Sequence, residues 1–317
     1  MSRDDSRGTQ PHWEPTPPST SGLSKAETRT RPGSNQLAIH QLEGRSKGDV
    51  GLRSQSCRVR RAVAVRGRQY RVSEAEKELL FTLALFRSIA VADLLACLYD
   101  SRPRQFGQDL RSLKGQGLIR THRIMAGREG EVLEVLIPTP EARSLLAALG
   151  TENGRQPGPV GRLKLREIAH DAALYRMYAA EAAHISNCGG AVRRVILDYE
   201  LKASIYARLA PACSGSRVDY AKAQKEVAQT HGLQVTEGRI LLPDVRVEYE
   251  TAEGELRKVD LELATYHYHG AYALAKARVG FKLYADGPSA ARLNAHLTRG
   301  RAPVPEGPGL TDAILSL

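Results

Sequence analysis

Residues 242–263, LPDVRVEYETAEGELRKVDLEL, carry the pattern that decides the fold of this chain. Apolar and polar residues alternate on both sides of a Thr-Ala-Glu-Gly turn at 251–254. Because successive side chains of a strand point to opposite faces, this alternation predicts two strands, 240–250 and 256–264, paired as a hairpin. One face of the hairpin is apolar and the other is polar.

Three carboxylates, Asp244, Asp260 and Glu262, fall on the polar face near the open end of this hairpin. Clustered carboxylates repel one another and are stabilised by a hard cation, and Mg²⁺ prefers oxygen ligands at about 2.0–2.1 Å. Such a metal activates water and stabilises charge on a phosphate. The pattern therefore predicts that these three residues bind a divalent cation, Mg²⁺ or Mn²⁺, and are candidate catalytic acids for hydrolysis at a phosphate.

Residues 73–150 have the order of three helices, a two-stranded hairpin and a last helix, which is typical of a winged helix-turn-helix. Ser73 followed by Glu76 has the spacing of a capping box, and Thr139-Pro140-Glu141 predicts the start of the last helix. The predicted elements are helices 73–87, 91–98 and 104–114, strands 118–124 and 132–137 around a turn at 127–130, and helix 139–149.

Positive charge is concentrated in the segment that precedes this region. The 317 residues have a net charge of +11, and residues 1–72 alone hold 14 Lys and Arg against 6 Asp and Glu. Lysine and arginine that meet phosphates release condensed counterions, so this pattern favours double-stranded DNA as a partner. A solvated tail and a protein-binding winged helix are the alternatives. The predicted DNA-binding residues are Arg66, Arg68, Arg102, Arg104, Arg111, Lys114, Arg120 and Arg123.

The remaining segments complete an α+β fold with a basic N-terminal tail. Residues 151–160 have the composition of a linker, and helices are predicted over 163–185, 219–230 and 272–284, with a strand over 192–201. The predicted organisation is a disordered tail (1–56), a basic arm that pairs as a strand or lies along DNA (57–72), a winged helix-turn-helix (73–150), an α/β domain (161–286) and a loosely structured tail (287–317).

Composition excludes several classes of protein. No stretch approaches the roughly 20 apolar residues of a membrane helix, and the N-terminus lacks the apolar region of a signal peptide. The four cysteines are far apart, so neither a disulfide framework nor a structural zinc site is expected. A cytoplasmic protein associated with the nucleoid or a plasmid, with no membrane partner, is the prediction.

Short motifs occur in a fixed order over residues 161–286. They are His170 in Ile168-Ala169-His170-Asp171, Pro243-Asp244, Asp260-Leu261-Glu262 with Thr265, and Lys282 near Tyr284. Their order resembles the PD-(D/E)xK nuclease superfamily. Together with the winged helix it is similar to the replication-relaxation family of plasmid and mobile-element proteins. The resemblance implies a restriction-endonuclease-like α/β domain, replication initiation or DNA relaxation at an origin- or operator-like site, and Lys282 as the catalytic lysine.

The chain departs from the nuclease pattern at the lysine. The expected position is Ala264 or Glu262, depending on which acid is second, and Lys258, Lys276 and Lys282 are the available substitutes. An active endonuclease and a non-enzymatic transcription or copy-number regulator with a degenerate nuclease-like domain therefore both stay open. A homodimer and contacts with replication or mobilisation proteins are compatible with either interpretation.

A second chemistry is suggested by residues 265–276. His267-Tyr268-His269 followed by Tyr272 and Lys276 is similar to HUH relaxases, in which histidines hold a metal and a tyrosine attacks DNA. Two residues separate His269 from Tyr272, whereas that family places these residues on distant elements. The HUH-like relaxase is therefore the weaker alternative.

Overall fold

The computed structural model of this chain describes residues 59–126, 131–150, 165–214, 217–264, 270–285, 289–291 and 314–316. The predicted tail 1–56, the wing turn 127–130 and the linker 151–160 lie outside these residues. The described residues belong to one compact unit of mixed α/β structure. None of their helices has the length and apolar character needed to cross a membrane.

The N-terminal part, residues 59–150, combines helices with a hairpin and a three-stranded sheet of order β3-β5-β4. Its elements are β1 (Arg61–Val65), β2 (Arg68–Val72), α1 (Glu74–Phe86), β3 (Ile89–Ala90), α2 (Val91–Asp93, continued as a π-helical turn over Leu94–Leu98), α3 (Pro103–Gly115), β4 (Ile119–Ala126), β5 (Glu131–Pro138) and α4 (Pro140–Leu149). The helices and strands predicted for this region are confirmed to within a few residues.

Capping interactions fix the ends of two of these helices. The Ser73 hydroxyl accepts from the Glu76 amide, and the Glu76 carboxylate accepts from the Ser73 amide at 2.8 Å, so the predicted capping box is present. Thr139 accepts from the Ala142 amide and Pro140 occupies the first turn of α4. Each cap satisfies backbone donors that the helix itself leaves without a partner.

The predicted basic arm forms a β-hairpin. β1 and β2 pair antiparallel with Val65 opposite Arg68, which leaves a two-residue turn of Arg66 and Gly67. Both turn residues have positive φ, 49° and 77°, as a type I′ turn requires. Tyr70 and Val72 are buried, so the hairpin is attached to the hydrophobic core on one side.

The C-terminal part, residues 165–316, is built around a five-stranded sheet of order β6-β9-β10-β11-β12. Its elements are α5 (Leu165–Asn187), β6 (Ala191–Leu197), α6 (Asp198–Leu209, followed by a 3-10 turn over Ala210–Ser214), α7 (Arg217–Thr230), β7 (Val235–Thr236), β8 (Arg239–Ile240), β9 (Val245–Glu250), β10 (Leu256–Ala264), α8 (Gly270–Arg278), β11 (Lys282–Ala285) and β12 (Ile314–Ser316). β6, β9 and β10 are antiparallel, whereas β10, β11 and β12 are parallel.

Several boundaries differ from the prediction. The helix predicted over 272–284 is wrong at its end, because Gly280 adopts φ 91° after α8 and the chain continues as β11. Lys282 and Tyr284 therefore lie on a strand. The strand predicted to reach Leu201 ends at Leu197, and α6 begins there. The strand predicted over 240–250 is divided, since residues 241–244 separate β8 from β9. Residues 314–316, in the predicted loose tail, form the edge strand β12.

One hydrophobic core runs through both parts of the molecule. It contains Leu79, Leu83 and Phe86 of α1 together with Tyr175 of α5 and Leu261 of β10. The rings of Phe86 and Tyr175 meet edge to face, with centroids 5.3 Å apart. The α5 helix thus covers one face of the sheet and supports the N-terminal part.

Polar contacts reinforce this junction. Arg87 donates to the buried Asp171 carboxylate at 2.6 Å, and the Ser88 hydroxyl donates to the Ile168 carbonyl at 2.9 Å. Arg176 donates to Asp93 at 3.1 Å. The N-terminal part is therefore fixed against α5 by ion pairs as well as by apolar packing.

Candidate functional site

The acid-x-acid motif of β10 lies on the sheet face opposite α5, and each of its carboxylates has a basic partner. Asp260 lies directly across from Arg246 of β9. The two form a bidentate ion pair, with Arg246 Nε at 2.6 Å and Nη2 at 2.8 Å from the carboxylate oxygens. Arg246 also donates to the His231 carbonyl at 2.5 Å. Arg246 therefore links β9 both to Asp260 of β10 and to the residue that follows α7.

Glu262 forms an ion pair with Lys276 of α8. The Lys276 ammonium lies 2.5 Å from Glu262 Oε1, and both side chains are 4% exposed. The ammonium also donates to the Leu242 carbonyl at 2.7 Å and lies 4.9 Å from the centre of the Tyr272 ring. The lysine on the helix after the acid-x-acid strand thus contacts the second acid of the motif.

Asp244 stands just before β9, next to the same ion pair. Its carboxylate accepts from the Leu263 amide at 2.9 Å. Burial raises the pKa of Asp244 above its ordinary value, and the charges of His170 and Lys276 and the Leu263 amide oppose this rise. The charge of Lys276 therefore acts on Asp244 as well as on its ion-pair partner Glu262.

A further acid, Asp198, adjoins Asp244 from the start of α6. The Asp198 amide donates to the Asp244 carbonyl at 3.0 Å, and the charge of Asp198 contributes to the raised pKa of Asp244. Lys202, one turn along α6, holds the Asp198 carboxylate at 2.6 Å. Sequence reasoning missed this acid because the pairing of β6 with β9, which sets Leu197 opposite Val245, brings it near Asp244.

Lys282, the predicted catalytic lysine, lies elsewhere. Its ammonium contacts Glu181 of α5 at 2.8 Å, and the Tyr284 hydroxyl donates to the other oxygen of Glu181 at 2.7 Å. Leu283, between them in β11, packs on the opposite face with Ala273 of α8. The structure therefore places Lys276, and not Lys282, beside the acid-x-acid motif.

Each of the predicted metal ligands has a partner within the protein. Asp260 is paired with Arg246 and Glu262 with Lys276, and Asp244 accepts from the Leu263 amide. Within the described ranges, no group of three or more His, Cys, Asp or Glu side chains has the geometry to hold a metal ion. A shared Mg²⁺ or Mn²⁺ would therefore compete with the two protein cations for Asp260 and Glu262.

A second candidate site is the basic surface of α3. Phe106, Asp109 and Leu113 bury one side of this helix. The opposite side is exposed and presents residues spaced three or four apart. These exposed residues are Arg104, Gln108, Arg111 and Lys114. Gln108 was missed at the sequence level because only basic residues were considered, although its spacing from Arg104 and Arg111 places it on their face.

The strands next to α3 extend this surface. Arg66, Arg68, Arg120 and Arg123 are all exposed. The pKa of Glu141 is lowered first by hydrogen bonds from its own backbone and Thr139, and then by the charges of Arg68 and Arg120. Arg68 of β2 and Arg120 of β4 therefore lie close to the same carboxylate at the start of α4.

Arg102 differs from the other predicted DNA-binding residues. It donates to the Asp100 carboxylate at 3.0 Å and to the Tyr99 carbonyl at 2.9 Å, which braces the turn before α3. Among the residues that the structure describes, no acid forms a salt bridge with any of the other seven. These seven side chains, Arg66, Arg68, Arg104, Arg111, Lys114, Arg120 and Arg123, are called the basic surface below.

Residues of the relaxase alternative are only partly described. His267, His269 and Thr265 lie outside the described residues. Tyr272 and Lys276 are described, and there the tyrosine ring lies against the Lys276 ammonium.

A comparison of the chain with protein-family models finds no match. Comparisons with curated proteins and with solved structures find no similar protein either.

Proposed function

We propose that this chain is a double-stranded DNA-binding protein that contacts DNA through the basic surface. The observation that carries the proposal is the exposure of seven basic side chains on adjoining elements, without a salt bridge to a described acid. A polyanion is the natural partner for such a surface, since each phosphate contact releases condensed counterions from the DNA.

The shape of the surface favours duplex DNA. α3 is a 13-residue helix with one buried and one basic side, and a helix of this kind fits the major groove. Gln108 stands between Arg104 and Arg111, where its amide is suited to pair with adenine and the arginines with guanine or phosphate. The β4–β5 hairpin follows α3 directly, in the position of the wing of a winged helix-turn-helix.

The cellular role that we propose follows from the resemblance described above. The motifs of that resemblance lie on α5, just before β9, on β10 and on β11, and their order along the chain supports the proposal. We therefore propose a cytoplasmic protein of a plasmid or integrative element that acts at an origin- or operator-like site in replication initiation or DNA relaxation. We also propose that it binds replication or mobilisation proteins and forms a homodimer.

The test is the salt dependence of duplex binding by the Arg104→Ala, Arg111→Ala double variant. The plot of log K against log salt has a negative slope, and each lost phosphate contact makes it shallower by about 0.9. We therefore expect the magnitude of the slope to fall by roughly two in the double variant. Arg257→Ala is the matched control. Arg257 is also exposed, but it lies in β10, outside the basic surface, and is paired with Glu255. No duplex binding by the wild type at low salt, or an unchanged slope in the double variant, would contradict the proposal.

A second candidate function is phosphodiester cleavage at Asp244, Glu262 and Lys276. The observation in its favour is that the lysine of the helix after β10 contacts the second acid of the motif. Because Asp260 and Glu262 form ion pairs with Arg246 and Lys276, no metal-dependent step is assigned to them. The non-enzymatic regulator is the competing interpretation of the same residues.

A plasmid-nicking assay separates these two interpretations. Supercoiled DNA is incubated with wild type and with Asp244→Asn, in Mg²⁺, in Mn²⁺ and in a chelator. Open-circle product that disappears in the variant would support an endonuclease at this site. The absence of product under every condition would favour the regulator, and tyrosine-linked DNA that persists in the variant would favour the relaxase alternative.

A further inference from the structure

We infer that the tip of the β1–β2 hairpin, Arg66-Gly67-Arg68, enters the minor groove of the DNA whose major groove is contacted by α3. This inference rests on the proposed DNA binding and assigns the hairpin a separate role in it. It is carried by the backbone geometry of the tip, by the attachment of the hairpin to α3, and by the exposure of the two arginines.

The tip has a backbone geometry that its sequence does not favour. Arg66 has φ 49°, in the left-handed region, and Gly67 follows at φ 77°. Asparagine, aspartate or glycine usually occupies such turns, and a residue with a β-carbon there costs about 1–2 kcal/mol. Backbone strain of this kind clusters at binding sites and other functional sites. The side chain at this strained position is an exposed guanidinium.

The hairpin is held in a fixed position beside α3. Gln116, in the turn after α3, accepts from the Arg71 amide at 2.7 Å and donates to the Arg71 carbonyl at 2.9 Å. On the other face of β2, Tyr70 and Val72 are 5% and 4% exposed. The base of the hairpin is therefore anchored. Because its backbone is already fixed, the hairpin loses little backbone freedom when its tip binds.

The dimensions of the tip match the narrower groove. A minor groove about 6 Å wide excludes a helix but admits arginine side chains, and it attracts them most where A·T-rich sequence narrows it. Gly67 has no side chain, so the turn stays slim between Arg66 and Arg68. The charges of Arg68 and of Arg120 in β4 both lower the pKa of Glu141, so the hairpin and β4 present positive charge around the same carboxylate.

Arginine is better suited to this position than lysine. Its guanidinium is planar and more weakly hydrated than an ammonium, so it loses less solvation in a narrow groove. The contact predicted here depends on the width of the minor groove, and it is favoured where no guanine amino group projects into that groove. It is therefore distinct from any base contact that α3 makes in the major groove.

The experiment compares two duplexes that are identical in the major groove. One carries a run of G·C pairs and the other the same run with inosine replacing guanine, which removes the minor-groove amino group alone. We expect wild type to bind the inosine duplex about fivefold or more tightly, the order of one base-pair change. In Arg66→Gly the preference should fall to near unity, since glycine keeps the turn and deletes the guanidinium.

Two further variants make the result decisive. Arg66→Lys keeps the charge and is expected to lose most of the preference while keeping more of the total affinity than Arg66→Gly. Arg257→Ala, the control of the previous experiment, should keep the full preference. Fluorescence anisotropy measures binding, and a urea midpoint equal to that of wild type shows that each variant is folded.

The outcomes separate this inference from the proposed function. If wild type binds neither duplex at low salt, the proposed function itself fails. If wild type binds both duplexes equally, or if Arg66→Gly keeps the full preference, DNA binding stands and the minor-groove assignment is overturned. Equal binding of an A-form RNA duplex of the same sequence would overturn the assignment as well.

Discussion

Charged residues are exposed to water on the basic surface, whereas in the central sheet they are buried in ion pairs. On the basic surface, Arg104 and Arg111 are exposed and have no salt bridge to a described acid. In the sheet, Lys276 and Glu262 are 4% exposed and face each other. Water solvates the first group, so those charges remain available to a partner. Burial removes water from the second group, so each charge there requires a protein partner.

This difference separates two uses of charge in one chain. An exposed cation adds little to stability and much to the attraction of a polyanion. A buried pair fixes which strand and helix lie together, and removing one member leaves the other in a poor environment. The same substitution chemistry should therefore have very different effects in the two regions.

The largest effect is expected from Lys276→Met. The variant leaves the Glu262 carboxylate buried without its ammonium partner, and we expect a loss of about 3–5 kcal/mol in the free energy of unfolding. Urea denaturation measures this loss. The double variant Glu262→Gln, Lys276→Met should recover most of it, because neither charge is then buried. A loss below about 1 kcal/mol in the single variant would mean that the pair is not shielded from water.

An intermediate effect is expected from the pH dependence at the junction of the two parts. Burial raises the pKa of Asp171 to about 6, although Arg87 beside it favours the charged form. His170 acts in the same direction as Arg87, and Glu167 acts against it. The folded pKa lies above the unfolded value of about 3.9, so the stabilisation is complete below pH 4 and is lost as the pH rises through 6.

The measurement is the free energy of unfolding at pH 4 and at pH 7 in wild type and in Asp171→Asn. From the shift of about two pKa units we expect the wild type to lose about 2–3 kcal/mol more than the variant over this interval. Identical pH dependence in the two proteins would show that the Asp171 carboxyl titrates at its ordinary pKa.

The smallest effect is expected from Arg111→Ala. The exposed guanidinium has no described acidic partner, so the free energy of unfolding should change by less than about 0.5 kcal/mol. Differential scanning calorimetry and urea denaturation both test this expectation. A loss above about 1 kcal/mol would place Arg111 in the packing of α3 and would remove the contrast between the two regions.

Local sequence patterns predicted the elements well where neighbouring residues decide them. Ser73 and Glu76 lie three residues apart and cap α1 as expected, because both groups belong to one helical turn. The alternation around the turn at 251–254 likewise gave the pairing of β9 and β10. Prediction was less accurate after Leu197, where a strand was extended into α6, and after Arg278, where a helix was extended into β11.

The candidate site shows the same division. Which carboxylates share a face was predictable, since the period of a strand sets this locally. The sequence also predicted that α3 has a basic side. It did not determine which cation each acid meets. Lys282 was predicted to lie on a helix near the acids, but the strand after Gly280 directs it to Glu181, while Lys276 reaches Glu262.

The physical reason is the range of the interactions involved. Alternation, helical spacing and capping depend on residues within one or two turns, and these the sequence determined for β9, β10, α1 and α3. The partners of buried charges depend on how helices pack across a sheet, and so on contacts between residues far apart in the chain. The contacts of Lys276 with Glu262, and of Gln116 after α3 with Arg71 of the hairpin, are therefore set by tertiary packing.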